Sequence, residues 1–137
     1  MKTPRGLRNN NPLNIRLAPD NPWQGEVRPS QDKSFCQFRT MAYGYRAAMK
    51  LLRNYRERYG LNTIRGIIGR WAPPEENDTE AYIEAVCRYS GIDANRRLNL
   101  HEKRTLTALV AAMSRVENGR PADMAQVEAG WRLLINH

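Results

Sequence analysis

Residues 105–119, TLTALVAAMSRVENG, carry the pattern around which the rest of the chain is arranged. Leu106, Leu109, Val110, Met113 and Val116 recur at the spacing of one face of an amphipathic helix. Glu117 falls four residues after Met113 and seven after Val110, which turns its carboxylate along the apolar stripe. Asn118 and Gly119 supply a left-handed stop. A carboxylate at a helix end among apolar neighbours suits a general acid. The plainer reading of the same residue is a partly exposed glutamate one position out of phase.

On either side of this helix the chain reads as more helix. Asn99 with Glu102 forms a capping box that opens it. Pro121 starts a last helix, Ala122 to about Ile135, with Met124, Val127, Trp131 and Leu134 or Ile135 packing. Further upstream, Thr40 caps a long helix over 41–59 whose buried stripe is Ala47, Ala48, Leu51, Leu52 and Tyr55, and Gly60 ends it. Gly44 costs that helix stability and so marks a close approach by another backbone or a ligand. Thr63 caps a shorter helix, Ile64 to Trp71, which Pro73 and Pro74 stop. Asn77 or Asp78 caps the next one, Asn77 with Glu80 as a capping box, and it runs to about Tyr89 with Tyr82, Ile83, Val86 and Tyr89 inward.

Residues 1–34 are different, rich in Pro, Asn, Arg and Gly with little periodicity. In RGLRNNNPLNIR (Arg5–Arg16), three asparagines before Pro12 disfavour helix, so the stretch is either floppy or held by many side-chain hydrogen bonds. Glu26–Arg28 and Ser34–Phe38 flank a polar turn and read as a short hairpin, bent because Phe35 and Phe38 break strict alternation. The sum is a mainly α, single-domain chain of about five helices. Its loop-rich N-terminal lobe (1–39) carries at most one short hairpin, and 40–137 is the helical body.

Composition bounds the function. At 137 residues, 41% hydrophobic and 26% charged, the chain suits one ordinary globular domain. It contains no apolar run of ~20 residues, so no membrane insertion is expected, and MKTPRGLRNNNP has no signal-like apolar centre. The expected route is therefore synthesis in the cytoplasm and delivery by other means to the periplasm, the cell wall or a virion. The 22 Lys+Arg against 14 Asp+Glu, a net +8, favour an anionic partner: nucleic acid, a membrane surface or a bacterial envelope. Two distant cysteines and two histidines offer no metal constellation, and no cofactor is called for. Cys36 and Cys87 read first as free thiols, with a disulfide the alternative in an oxidising compartment.

RGLRNNNPLNIR, Trp23-Gln24-Gly25, Asp32 with Phe35 and Phe38, Tyr43–Ala47, WAPPEENDTEAY (Trp71–Tyr82) and Val116–Gly119 together resemble a family of phage and prophage proteins, described as virion structural or lysozyme-like proteins. The resemblance covers nearly the whole chain, with Leu13 where that family's pattern has Gly. The same pieces are similar to parts of lytic transglycosylases and glucosaminidases in changed order, as a circular permutation would give. The resemblance implies a lysozyme-like domain in which Glu117 is the catalytic acid and the asparagine-rich segment folds back against it.

It also implies cleavage of the β-1,4 links of peptidoglycan, which needs a proton on the leaving oxygen and a stabilised oxocarbenium-like transition state. Asp32 is the candidate second carboxylate, by analogy with the lysozyme β-lobe; an ordinary turn aspartate is the equal alternative. Glu26 is a weaker candidate. Tyr82 takes the place of a cleft tyrosine, Trp23 and Trp71 stack on sugars, and Asn10, Asn11 and Asn14 bind N-acetyl groups. Core packing and helix capping are the alternatives for these six. The partners implied are peptidoglycan, phage structural or secretion components, and an immunity protein. Two other functions stay open: a non-catalytic virion or wall-binding protein of the same fold, and a nucleic-acid-binding protein, which rests on charge alone.

Overall fold

The computed structural model describes residues 3–136. Six helices and one two-stranded sheet follow in the order α1 (Arg5–Arg8), β1 (Glu26–Val27), β2 (Gln37–Phe38), α2 (Met41–Tyr59), α3 (Ile64–Trp71), α4 (Thr79–Ser90), α5 (Lys103–Asn118) and α6 (Met124–Ile135). The chain is mainly helical, as its periodicity implies. Among the described residues no helix is long and apolar enough to cross a membrane.

The body is built on α2 and α5. Thr40 caps α2 by accepting from the Tyr43 amide, and Gly60 ends it in the left-handed region. Thr63 caps α3 in the same way through the Gly66 amide. On α5, Leu106, Leu109, Val110 and Met113 are fully buried. They join Ala47, Ala48, Met49 and Leu52 of α2, Ile64, Ile67 and Ile68 of α3, and Val127 of α6 in one core. Burial on this scale is the main force that holds short helices together, since none would be stable alone.

The helix ends agree with expectation in part, α4 being capped by one of its two expected residues. The cap of α4 is Asp78, which accepts from the Ala81 amide, while Asn77 turns back and donates to the Pro73 carbonyl. Neither capping box forms. Asn99 accepts from the His101 amide instead, and Glu102 accepts from the Thr105 hydroxyl. Pro121 lies before α6 rather than at its start, because Asp123 accepts from the Ala125 amide and caps it there. Tyr89 and Met124, expected inward, are exposed, and of the alternatives Leu134 and Ile135 it is Leu134 that packs.

The N-terminal lobe is held by its asparagines. One turn of helix, α1, forms at Arg5–Arg8 and ends at Asn9. Asn10 and Asn14 both take positive φ, 52° and 55°, a conformation asparagine tolerates better than most residues. Asn11, fully buried, donates to the carbonyls of Ile15 and Cys36 and accepts from the Ile15 amide. The Asn9 carbonyl accepts from the Phe38 amide, and the Asn10 side chain donates to the Phe38 carbonyl. The hairpin is short, pairing Glu26 with Phe38 and Val27 with Gln37; Phe35 lies outside it, in a bridge to Arg16.

Gly44 joins the lobe to the body. A Cβ there would lie 2.0 Å from the Asn10 carbonyl oxygen and 2.7 Å from Pro12. The asparagine segment therefore rests directly on the α2 backbone, the close approach its sequence position implies. Both cysteines are free thiols.

Candidate functional site

The last turn of α5 delivers Glu117 to the junction of three segments. Asn14 donates to Glu117 Oε1 at 2.9 Å. The Tyr82 hydroxyl of α4 donates to Oε2 at 2.8 Å, and the indole N–H of Trp71, at the end of α3, points at the same oxygen from 3.4 Å. Trp71 and Tyr82 sit at the two ends of the Pro73–Asp78 connection, so that one loop positions both donors. Burial raises the Tyr82 hydroxyl well above its ordinary pKa, and the charge of Glu117 adds to this. Tyr82 therefore stays a protonated donor.

Glu117 faces a cleft of about 510 Å³. Leu13, Asn14 and Ile15 form one wall; Trp71, Ala72 and Pro73 form another; Leu51 and Tyr55 of α2 contribute from below. Trp23 and Phe35 close the lobe side. Among the described residues that line this cleft, the carboxylates are Glu117 and Glu76. No group of acidic, histidine or cysteine side chains suitable for a metal ion occurs among the described residues.

Behind the carboxylate lies a second layer. Asn118 donates to the Pro12 and Ser114 carbonyls, which ties the end of α5 to the asparagine segment. Its own Oδ1 is buried without a partner, and so is Oδ1 of Asn14. Both oxygens converge on Gly6: a Cβ there would lie 2.7 Å from Asn118 Oδ1, 2.7 Å from the Asn11 carbonyl and 3.0 Å from Asn14 Oδ1. Three acceptors thus share one small space that only a glycine leaves open.

The residues singled out from sequence divide into two groups. Glu117, Asn14, Tyr82 and Trp71 meet, and Trp23 stands on the same cleft. Asn10 and Asn11 do not reach the cleft; their amides brace the backbone of the lobe. Asp32 lies outside the cleft lining as well. Arg5 grips both its oxygens at 2.6 and 2.7 Å, Asn9 donates to it at 3.1 Å, and it caps its own turn through the amides of Ser34 and Phe35. The Arg5 guanidinium, with these amides, holds the Asp32 carboxyl far below the usual carboxylate range. Glu26 is likewise engaged, with Arg28 and the Trp23 amide. Glu76, Leu51, Tyr55 and Phe35 were not foreseen in the cleft. Leu51 and Tyr55, expected in the buried stripe of α2 with Ala48 and Leu52, are only half-buried, because they face the cleft.

The chain matches no family model. It is 45% identical over 130 residues to Protein P5 of Pseudoalteromonas phage PM2, a match that covers 93% of this chain and 79% of that protein. At that identity and coverage, a phage protein and this chain share one ancestry: the chain belongs to the family of Protein P5 of Pseudoalteromonas phage PM2.

Proposed function

We propose that this protein is a phage-associated, lysozyme-like glycosidase that opens the glycan strands of the bacterial cell wall, with Glu117 as its acid. The observation that carries this reading is a carboxylate fixed from three directions at the edge of an aromatic-walled cleft. A general acid must deliver a proton to the bridging oxygen as the bond from C1 breaks. Asn14 Nδ2 donates to Oε1 and so steadies the carboxylate that remains once the proton has passed to the bridging oxygen. Tyr82 and Trp71 hold the other oxygen in place. The net charge of +8 favours residence on an anionic wall.

Zymography on purified peptidoglycan tests the reading. Wild type clears the gel; Glu117→Gln, which keeps the shape and one oxygen able to accept from Tyr82 and Trp71 but replaces the acceptor facing Asn14 with an amide NH2, falls at least about 100-fold. Equal clearing by both proteins refutes it. Mass spectrometry of the released fragments separates hydrolysis, with reducing ends, from transglycosylation, with anhydro ends.

One observation favours a second reading, a passive wall-binding or particle component. Asp32 is spent on Arg5, which leaves the cleft without the lobe carboxylate of a two-carboxylate glycosidase. Retention on sacculi without any released fragments would establish it.

A further inference from the structure

The cleft does not end at its aromatic wall. Tyr55 and Pro73 also line a neighbouring depression of about 630 Å³, whose other walls are Tyr59, Leu61, Gly66, Gly69 and Arg70. Its floor is bare α3 backbone. Gly66 and Gly69 are one helical turn apart, and a Cβ at Gly69 would meet nothing within 4 Å. A glycine inside a helix is unfavourable, and at Gly69, unlike Gly66 where a Cβ would press on Thr63 and Leu61, packing does not demand one, so the open space there calls for a reason.

The walls have a specific chemistry. The Tyr55 and Tyr59 rings stand edge to face, 6.1 Å apart. The Arg70 guanidinium lies 3.5 Å from the centre of the Tyr59 ring, which holds this exposed cation at the rim of the depression. A flat floor, tyrosine edges and a guanidinium stacked over the Tyr59 ring make a site for a ring-shaped polar unit that bears a carboxylate.

Resting on the cell-wall reading above, we infer that Gly69, Tyr59 and Arg70 form a distal subsite. It takes a further sugar of a strand whose reacting bond lies at Glu117, and Arg70 binds the carboxylate carried by that sugar's lactyl or peptide substituent. The shared residues Tyr55 and Pro73 make the two depressions one continuous track.

The test measures binding in a Glu117→Gln background, where no strand is cut. The probes are defined peptidoglycan fragments of two and six disaccharides, and chitin oligomers of the same lengths, which lack carboxylates. Gly69→Leu, which fills the floor, is expected to weaken the long fragment about tenfold and leave the short one unchanged. Arg70→Gln is expected to abolish the preference for the long peptidoglycan fragment over the equally long chitin oligomer. Gly69→Leu is also expected to melt no lower than its parent, which separates lost binding from lost folding. Equal effects on short and long fragments, or none on either, overturn the subsite while leaving the Glu117 cleft standing. Failure of every fragment to bind overturns the cell-wall reading and the subsite with it.

Discussion

Asn14 and Glu117 lie 103 residues apart in sequence, yet the amide of one donates to the carboxylate of the other at 2.9 Å. Asn14 also takes a φ of 55°, so its backbone is shaped to present that amide. Replacement by glycine keeps the backbone free to adopt the turn and removes only the amide. Asn14→Gly is expected to lower peptidoglycan release about 10- to 100-fold, with a melting temperature within a few degrees of wild type. Asn14→Ala adds the left-handed strain, roughly 1 kcal/mol, and melts lower. Paired thermal melts and release assays distinguish the two.

Gly44 allows no side chain. With the Asn10 carbonyl 2.0 Å from the nearest Cβ position, the backbone of the lobe would have to lift off α2. Gly44→Ala is expected to cost about 3 kcal/mol or more, read from urea unfolding. Because the displaced segment carries Asn14, wall digestion should fall beyond what the lost stability explains.

Asp32 makes part of the stability acid-sensitive. Its carboxyl is held down in the folded protein by Arg5, whereas in the unfolded chain it titrates near about 4. Above that value it is ionised in both states and the pairing contributes fully. As the pH falls below it, the unfolded chain gains a proton that the folded chain refuses, and the contribution drains away toward the lower folded value. The melting-temperature gap between wild type and Asp32→Asn should be widest at about pH 5–7 and narrow steadily toward about pH 2. A gap that widens on acidification would contradict the pairing.

The two thiols should react very differently. Cys36 is fully buried, and burial, reinforced by the charge of Glu26, pushes it up to about 12. Cys87 is only partly buried. A thiol reagent at about pH 8 should therefore label Cys87 in the native protein and leave Cys36 until urea unfolds it, because the thiolate is the reacting form.

The helical body was readable because its signals are local. Thr40 and Gly60 bracket α2, and Thr63 and Pro73 bracket α3, at the residues their side chains imply. The stripe that aimed Glu117 inward is simple periodicity, and it brought the carboxylate to the cleft edge. The Asn77–Glu80 box failed because two competent caps stood side by side, and the Asn99–Glu102 box because those side chains serve His101 and Thr105 instead. Asp78 beat Asn77, and nothing in the order of residues ranks them. The lobe was harder still. Asparagine carries one side chain for caps, braces and ligands alike, so Asn10 and Asn11, bound to backbone, look no different in sequence from Asn14. Asp32 stayed between two readings for the same reason: a turn aspartate and a catalytic one look alike in sequence, and the turn amides with the distant Arg5 favour the turn role.

The bond from Asn118 to the Pro12 carbonyl has a temporal meaning. Closing a loop of 106 residues is entropically slow compared with winding a helix, so the pocket around Glu117 completes late in folding. A nascent chain still short of residue 118 has no assembled site at all. If the proposed chemistry holds, a truncated copy that stops before residue 118 carries none of it, however well its earlier helices pack.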